Sequence, residues 1–171
     1  MTFSIVRTAS QMTYDTGLEE LEKTALWIIM DPWETSPYER DNLREPNLDK
    51  LNEEVLIRIV DYLPKLNHVL VSCSVYENKR KVKLHNLIKH IRNVNHNTEL
   101  LNNYIQNNNI KDIVYTGFHH GRCILSRDVG AKALSEKTDL RLYIKRDLVA
   151  TLPWDDEIDA DRKSLCFVNF I

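Results

Sequence analysis

The apolar run over residues 25–30 constrains the fold of this chain more than any other feature of its sequence. A short, continuous apolar segment that ends abruptly, here at Asp31-Pro32, is typical of a strand buried on both faces. Such strands belong to parallel sheets whose two faces are both covered by helices. The run therefore predicts an α/β architecture with Asp31 at the carboxyl end of a central strand.

Helix and strand patterns alternate along the rest of the chain, as a parallel sheet requires. The pattern predicts helices over residues 48–63, 98–105 and 123–134, and strands over residues 68–73, 112–117 and 140–144. We therefore expect one domain over residues 1–171, a three-layer α/β/α sandwich around a mostly parallel sheet. Residues 1–23 are expected to form a polar N-terminal arm, and residues 154–171 a divergent tail with an acidic stretch and an edge strand.

Charge and cysteine content exclude several classes of function. The formal net charge is -2 with mixed signs, so no broad basic field attracts nucleic acid or an anionic membrane. No segment approaches the roughly 20 apolar residues of a membrane-spanning helix, and no export signal is visible. The three cysteines, Cys73, Cys123 and Cys166, form no CxxC pair, which argues against a disulfide framework or a zinc site. We expect a cytoplasmic protein with no nucleic-acid or membrane partner.

Three reactive side chains, Asp31, Lys89 and Cys123, are predicted near the carboxyl ends of strands, where ligands bind in open parallel sheets. Cys123 follows a glycine-containing turn and opens a predicted helix, an environment that favours thiolate over thiol. A carboxylate can accept the thiol proton and return it to a leaving group, and an ammonium can stabilise the anions. Each residue also has a structural alternative: Cys123 as an inert buried thiol, Asp31 as a cap or turn residue before Pro32, and Lys89 as a solvated side chain.

The order and spacing of these residues resemble the isochorismatase-like cysteine hydrolases, a superfamily that includes nicotinamidases and N-carbamoylsarcosine amidases. Asp31 ends the first strand, Thr98 lies nine residues beyond Lys89, and Cys123 lies six residues beyond Gly117. The resemblance spans residues 25–153. It implies that Cys123 attacks a carbonyl carbon, Asp31 acts as general base and then as acid, and Lys89 supports both. It also implies a homo-oligomer.

The resemblance further implies a cis peptide at His119-His120, which would aim the backbone N–H groups of His120 and Cys123 at an oxyanion. Asp147 falls where the family has an aspartate, and we interpret it as structural. The metal pattern of the nicotinamidases is not evident, because His68 and His85 lie apart and look like ordinary strand and surface histidines. We expect neither a metal nor a cofactor.

The chain departs from the family pattern beside the expected nucleophile. Trp33 stands where the family has a glutamine, and the residues before Cys123 read Phe118-His119-His120-Gly121-Arg122 instead of small or hydroxylic residues. Trp33, His119 and Arg122 are candidate contacts for a small-molecule substrate, with Arg122 suited to an anionic group. Alternatively, Arg122 pairs with Asp128 or Asp31.

Two functions follow from these patterns. The first is a cysteine hydrolase that cleaves a C–N bond of a small amide, ureido or related metabolite through a covalent Cys123 intermediate. The second is a catalytically degenerate member of the same fold that binds a small molecule or a protein. The altered turn and the missing glutamine motivate the second. Hydrolysis of a vinyl ether, as in isochorismatases, is disfavoured because those enzymes lack the cysteine.

Overall fold

The computed structural model describes residues 9–33, 48–74, 76–77, 80–81, 84–136, 139–152 and 155–171. Its strands are β1 (Leu26–Met30), β2 (His68–Ser72), β3 (Tyr76–Glu77), β4 (Arg80–Lys81), β5 (Asp112–Phe118), β6 (Arg141–Ala150) and β7 (Asn169–Phe170). Five of them form one parallel sheet in the order β2-β1-β5-β6-β7. The other two, β3 and β4, pair with each other in antiparallel fashion.

Helices connect the strands of the large sheet. They are α1 (Ala9–Thr24), α2 (Leu48–Tyr62), α3 (Thr98–Asn107), α4 (Cys123–Ser126), α5 (Ala131–Ser135) and α6 (Glu157–Ser164). Short 3-10 turns occupy Leu63–Lys65 and Asn86–Ile88. The predicted α/β sandwich around a parallel sheet is confirmed. No helix within the described ranges is long and apolar enough to cross a membrane.

The core lies around β1 and β5, the two innermost strands by burial. Every residue of both strands is buried, because each strand has a neighbour on either side and helices cover the sheet. Complete burial of one large apolar side chain contributes about 1.5–3 kcal/mol, which explains why β1 is apolar at every position. The carboxyl ends of these two parallel strands lie side by side, with Met30 paired to Gly117. Asp31 follows Met30 directly, and the turn before Cys123 follows the end of β5, so both lie at this edge of the sheet.

The structure differs from the sequence prediction at both ends of the chain. Residues 9–24, predicted as part of a polar arm, form helix α1. The acidic tail contains helix α6, whose first turn is capped by the Asp156 side chain accepting from the N–H of Ile158 at 2.8 Å. Acidic residues in a first turn suit the helix dipole, so the acidic stretch is a helix start and not a coil. The predicted edge strand is confirmed as β7.

The helix predicted over residues 123–134 is broken into α4 and α5. Arg127 has extended backbone angles and ends α4 after one turn. Gly130 lies so close to the carbonyl oxygens of Leu125, Arg127 and Ile124 that an added Cβ would approach each to within 3 Å. The chain therefore turns tightly over residues 127–130, and this turn directs Arg127 back towards the sheet.

β5 approaches β1 closely at Gly117. A Cβ there would lie 2.5 Å from the carbonyl oxygen and 2.8 Å from the nitrogen of Met30, and Gly117 has a φ of +94°. Only glycine satisfies both the contact and the conformation. This position sets how closely the carboxyl ends of the two strands meet.

We predict that Gly117→Ala lowers the free energy of unfolding by about 3 kcal/mol, through the clash with Met30 and the positive φ. Urea denaturation measures the change. Gly17→Ala is the matched control, since a Cβ at Gly17 in α1 meets nothing within 4 Å. In a helix interior that change should stabilise by about 0.5–1 kcal/mol. Equal stabilities of the two variants would contradict the close-approach argument.

Candidate active site

Asp31 is a completely buried carboxylate at the carboxyl end of β1. Its backbone has a φ of +46°, and its N–H donates to the carbonyl of Ser72 at 2.9 Å. Its Oδ2 accepts from Nε of Arg127 at 2.8 Å, and its Oδ1 lies 2.8 Å from Nε2 of His96. Burying a carboxylate is costly unless its charge is paired and its oxygens are hydrogen-bonded. Arg127 supplies the charge and a hydrogen bond to Oδ2, whereas Oδ1, next to His96, accepts no hydrogen bond from the described residues.

His96 is oriented towards Asp31 by a buried serine. Oγ of Ser72 lies 2.7 Å from Nδ1 of His96 and accepts from the His96 backbone N–H at 3.1 Å. Nε2 of His96 accepts from the backbone N–H of Ser74 at 3.2 Å and lies 2.8 Å from Oδ1 of Asp31.

Arg127 links Asp31 to the segment that begins at Cys123. Its backbone N–H donates to the carbonyl of Cys123 at 3.2 Å, and its guanidinium binds Asp31. Its Cζ lies 5.8 Å from the centre of the Trp33 ring, within the range of a cation–π contact. The side chain is 23 % exposed, whereas Asp31 is fully buried. Arg127 thus fixes the end of α4 against the end of β1.

Cys123 is the first residue of α4 and is buried, with 4 % of its surface exposed. It follows a tight turn in which the N–H of Arg122 donates to the carbonyl of His119 at 3.1 Å. The cis peptide lies between Phe118 and His119, one bond earlier than the sequence analysis predicted. It falls there because β5 continues to Phe118 and the turn begins directly after it.

His119 is fully buried and points to helix α2. Its Nε2 lies 3.3 Å from Oδ1 of Asn52, which is itself buried. Burial lowers the pKa of His119 to about 4, against the opposing influence of the Asp31 and Asp155 carboxylates. The ring is therefore neutral at neutral pH. His119 was predicted to contact substrate, and the structure gives it a neighbouring helix as a partner.

His120 is held through both its backbone and its side chain. Its N–H donates to the carbonyl of Ala150 at 2.8 Å, and its Nε2 lies 2.8 Å from Oδ1 of Asp161. The role expected of this N–H towards an oxyanion stays a prediction; in the structure the N–H donates to β6, whose end runs beside the turn. Burial lowers the pKa of the His120 ring, and the hydrogen bond to Asp161 opposes that shift.

Arg122 forms a two-point ion pair with Asp155. Its Nη2 donates to Oδ1 of Asp155 at 2.7 Å, and its Nε donates to Oδ2. The hydrogen bond from Arg122 lowers the pKa of Asp155. Asp155 therefore takes the place of Asp128 and Asp31, the two partners considered from the sequence, because the Nε/Nη2 edge of the guanidinium faces the start of the C-terminal segment.

Lys89 and Trp33 lie in very different surroundings. Lys89 is exposed and follows the 3-10 turn Asn86–Ile88. Within the described part of the chain, the basic side chains within 4 Å of the Asp31 carboxylate are Arg127 and His96, and Lys89 is not one of them. Trp33 is buried, and its Nε1 donates to the carbonyl of Ser74 at 3.1 Å. The structure thus brings Asp31 and the Cys123 segment together through Arg127, with Lys89 outside that contact.

The cavities of the described residues lie away from Asp31 and Cys123. A cavity of about 340 Å³ lies at the opposite end of the sheet, where Asp112 and Arg141 begin β5 and β6. Polar chemistry concentrates at the other end, beside Asp31 and Cys123. In the ranges that the structure describes, no group of three or more His, Cys, Asp or Glu side chains could hold a metal ion.

Comparison with known proteins identifies the fold. No protein-family model and no curated protein matches the sequence. An isochorismatase-like hydrolase from Alkaliphilus metalliredigens matches with a TM-score of 0.60 and 13 % identity, over 87 % of this chain and 93 % of that chain. YcaC from Pseudomonas aeruginosa, solved with hexane-2,5-diol and covalent acrylamide, gives 0.55 and 12 %, over 86 % and 75 %. YcaC from Escherichia coli, described as an octameric hydrolase of unknown specificity, gives 0.54 and 15 %, over 99 % and 79 %.

The chain has the isochorismatase-like hydrolase fold. The superfamily resemblance read from the sequence is therefore confirmed at the level of fold. At identities of 12–15 %, the similarity shows a shared arrangement of strands and helices and identifies no substrate.

Sequence reasoning missed the residues that surround Asp31 and the turn in this isochorismatase-like structure. They are His96, Arg127, Asn52, Asp155 and Asp161. One signal was available: Arg127 lies four residues beyond Cys123, so a predicted helix start places the two on one face. The others come from loops and helices far away in the sequence, and no local pattern marks them.

We predict that Arg127→Ala lowers the free energy of unfolding by about 3 kcal/mol, because it leaves the buried Asp31 carboxylate without its compensating charge. The same change should cost much less in an Asp31→Asn background, which urea denaturation of the four proteins of the cycle measures. Arg162→Ala is the control, since the Arg162–Asp159 pair is exposed and worth about 0–1 kcal/mol. Equal costs of Arg127→Ala in both backgrounds would contradict the pairing.

We predict that burial of neutral His119 makes stability depend on pH. Its pKa is 6.5 when unperturbed and about 4 in the fold, so the unfolded chain binds the proton first. The contribution is complete above pH 6.5 and is lost as the pH falls towards 4, about 3 kcal/mol over that window. Denaturation midpoints between pH 7 and 4 measure the slope.

His119→Gln should flatten that slope, and His90→Gln, at an exposed position, should leave it as in the wild type. A slope unchanged in His119→Gln would show that another group causes the dependence.

Proposed function

We propose that this protein is a cysteine hydrolase that cleaves a C–N bond of a small amide or ureido compound, with Cys123 as nucleophile and Asp31 as proton acceptor and donor. One observation carries the proposal: Arg127 binds the Asp31 carboxylate with its guanidinium and the Cys123 carbonyl with its backbone N–H. This link supports a nucleophile and a buried carboxylate held at the adjoining ends of β5 and β1. The hydrolase names of the structural neighbours support it further.

The proposed reaction has two stages. In the first, Asp31 accepts the Cys123 thiol proton and the sulfur forms a bond to the carbonyl carbon. The C–N bond then breaks as Asp31 returns the proton to the departing nitrogen, which leaves a thioester on Cys123. In the second stage, water loses a proton to Asp31 and adds to the thioester. The C–S bond breaks, the thiol regains the proton, and an acid and an amine are the net products.

Arg127 supplies the positive charge beside Asp31 that the sequence analysis assigned to Lys89. A guanidinium is permanently charged and binds a carboxylate in a fixed geometry, so it holds Asp31 without exchanging protons with it. A catalytic role for Lys89 stays a prediction, to be tested by Lys89→Ala next to Arg127→Ala. Contacts of the substrate with Trp33, His119 and Arg122 are likewise proposals.

The assembly of the protein is part of the same proposal. One structural neighbour is described as octameric, and the C-terminal part of this chain exposes two large apolar side chains, Ile158 and Leu165. We propose a homo-oligomer, which light scattering of the purified protein tests.

We predict that Cys123→Ala lowers turnover of small amides by about a thousandfold or more, because the nucleophile is lost. A panel of amides and ureido compounds is assayed with wild type, Cys123→Ala and Cys166→Ser. Cys166 is exposed, so its replacement controls for loss of a thiol and should keep wild-type turnover. Equal rates from wild type and Cys123→Ala would rule out this mechanism.

A non-catalytic binding module is the second candidate, and one observation favours it. The His120 N–H already donates to Ala150, which removes a donor that an oxyanion would use. Alkylation of Cys123 as a function of pH separates the two candidates. An activated thiolate reacts at its full rate at neutral pH, whereas an ordinary thiol keeps gaining rate up to its pKa of about 8.5.

A further inference from the structure

The start of the C-terminal segment contacts the turn that precedes Cys123 at three successive residues. We call residues 119–122 the nucleophile turn. Arg122 binds Asp155, Gly121 packs against Ala160, and His120 binds Asp161. Two of these three contacts come from helix α6, and the third comes from the residues just before it. From the sequence, this region was expected to form only a divergent tail.

Contact between Gly121 and Ala160 is too close for any other residue at position 121. A Cβ on Gly121 would lie 2.7 Å from Cβ and 2.9 Å from Cα of Ala160, and Gly121 has a φ of +73°. Ala160 is itself buried. Helix α6 therefore touches the backbone of the nucleophile turn directly, so a shift of the helix must move the turn.

The second contact of α6 fixes a buried ring. His120 is fully buried, and its Nε2 lies 2.8 Å from Oδ1 of Asp161. The carboxylate accepts the ring proton and so selects the Nε2–H tautomer. The edge of the ring meets Phe170 of β7 at 5.7 Å between centres, and the His120 N–H is bound to Ala150. The ring, the backbone N–H and the tautomer are all determined by neighbours outside the turn.

Asp161 also forms an ion pair with Arg146, which has a second acidic neighbour, Glu157. Nη2 of Arg146 lies 3.2 Å from Oδ2 of Asp161 and 3.5 Å from Oε2 of Glu157. Both acidic residues lie on α6 and share Arg146, but only Asp161 binds His120. A comparison of substitutions at Asp161 and Glu157 therefore separates the effect of losing the His120 contact from that of losing an ion pair with Arg146.

We propose that Asp161 is a positioning residue for Cys123, which it holds in reactive orientation through His120 and the nucleophile turn. The proposal rests on the function proposed above and adds the C-terminal helix to the active site. Asp161 does not touch the reacting atoms. It fixes the turn from which Cys123 starts α4, three residues beyond His120.

The test measures the rate constant for alkylation of Cys123 by iodoacetamide between pH 6 and 9, followed on the Cys123 peptide by mass spectrometry. All variants carry Cys166→Ser, which removes the exposed thiol. We predict that Asp161→Ala lowers the rate constant by about tenfold, since small displacements of a reacting group have large effects. Asp161→Asn keeps an acceptor for the ring proton and should stay within about threefold of wild type. Glu157→Gln is the matched control and should equal wild type.

Thermal unfolding accompanies each rate, so that the folded protein is compared. An Asp161→Ala rate equal to or above that of wild type would overturn the proposal and leave Asp161 a structural role only. Asp161 is 32 % exposed; if Asp161→Ala does not fold, Asp161→Ser, whose hydroxyl is too short to reach His120, gives the same readout. If the alkylation rate of wild-type Cys123 depends on pH as that of an ordinary thiol does, the proposed hydrolase is overturned. The ratio of the Asp161→Ala and wild-type rate constants tests the role of Asp161 independently of that result.

Discussion

The rest of the site depends on burying the charge of Asp31 at the end of β1. A carboxylate removed from water is destabilising by several kcal/mol unless a cation and hydrogen bonds replace its hydration. Arg127 supplies the cation and one hydrogen bond, and His96, from a different part of the chain, lies against the other carboxylate oxygen. Arg127 reaches Asp31 because α4 ends after one turn and the backbone there becomes extended. His96 reaches it because Ser72, at the end of β2, binds the other side of its ring. One buried charge thus fixes the end of β2, the loop before α3 and the exit of α4.

Two glycines transmit this arrangement to the nucleophile turn. Gly117 lets β5 approach the backbone of Met30, directly before Asp31, and Gly121 lets the turn approach Ala160 of α6. Between the two glycines lie the buried rings of His119 and His120, each bound by a side chain from a separate helix. Turns of this kind are mobile when only water surrounds them. Here the close backbone contacts and the two buried rings leave the turn, and hence the start of α4, little freedom.

Features that arise from burial were predictable from the sequence, and features that arise from tertiary pairing were not. The apolar run of β1 is visible because a strand buried on both faces must be apolar throughout, and it places Asp31 and, by alternation, the Cys123 turn at one end of the sheet. Helix α1 was missed because its sequence carries many polar residues and no clear apolar stripe. The break after Ser126 was missed because Leu125, Val129 and Leu134 fit a helical spacing, whereas the contact of Arg127 with Asp31 joins residues 96 positions apart. The exposure of Lys89 was missed for the same reason, since a resemblance in spacing does not indicate which cation lies beside a carboxylate.

An arginine beside Asp31 changes the chemistry that the site can perform. A lysine ammonium exchanges protons, and its pKa falls readily when it is buried, so it can take part in proton transfer. The guanidinium of Arg127 stays charged and offers only donors. Burial keeps His119 neutral as well, with a pKa of about 4, and Asn52 occupies its Nε2. In the mechanism that we propose, proton transfer is therefore carried out by the Asp31 carboxylate itself, while Arg127 and the two helices that bind the turn hold the carboxylate and the turn before Cys123. Electrostatic support and acid–base chemistry are then divided between Arg127 and Asp31, whereas the resemblance implied Lys89 as the supporting cation.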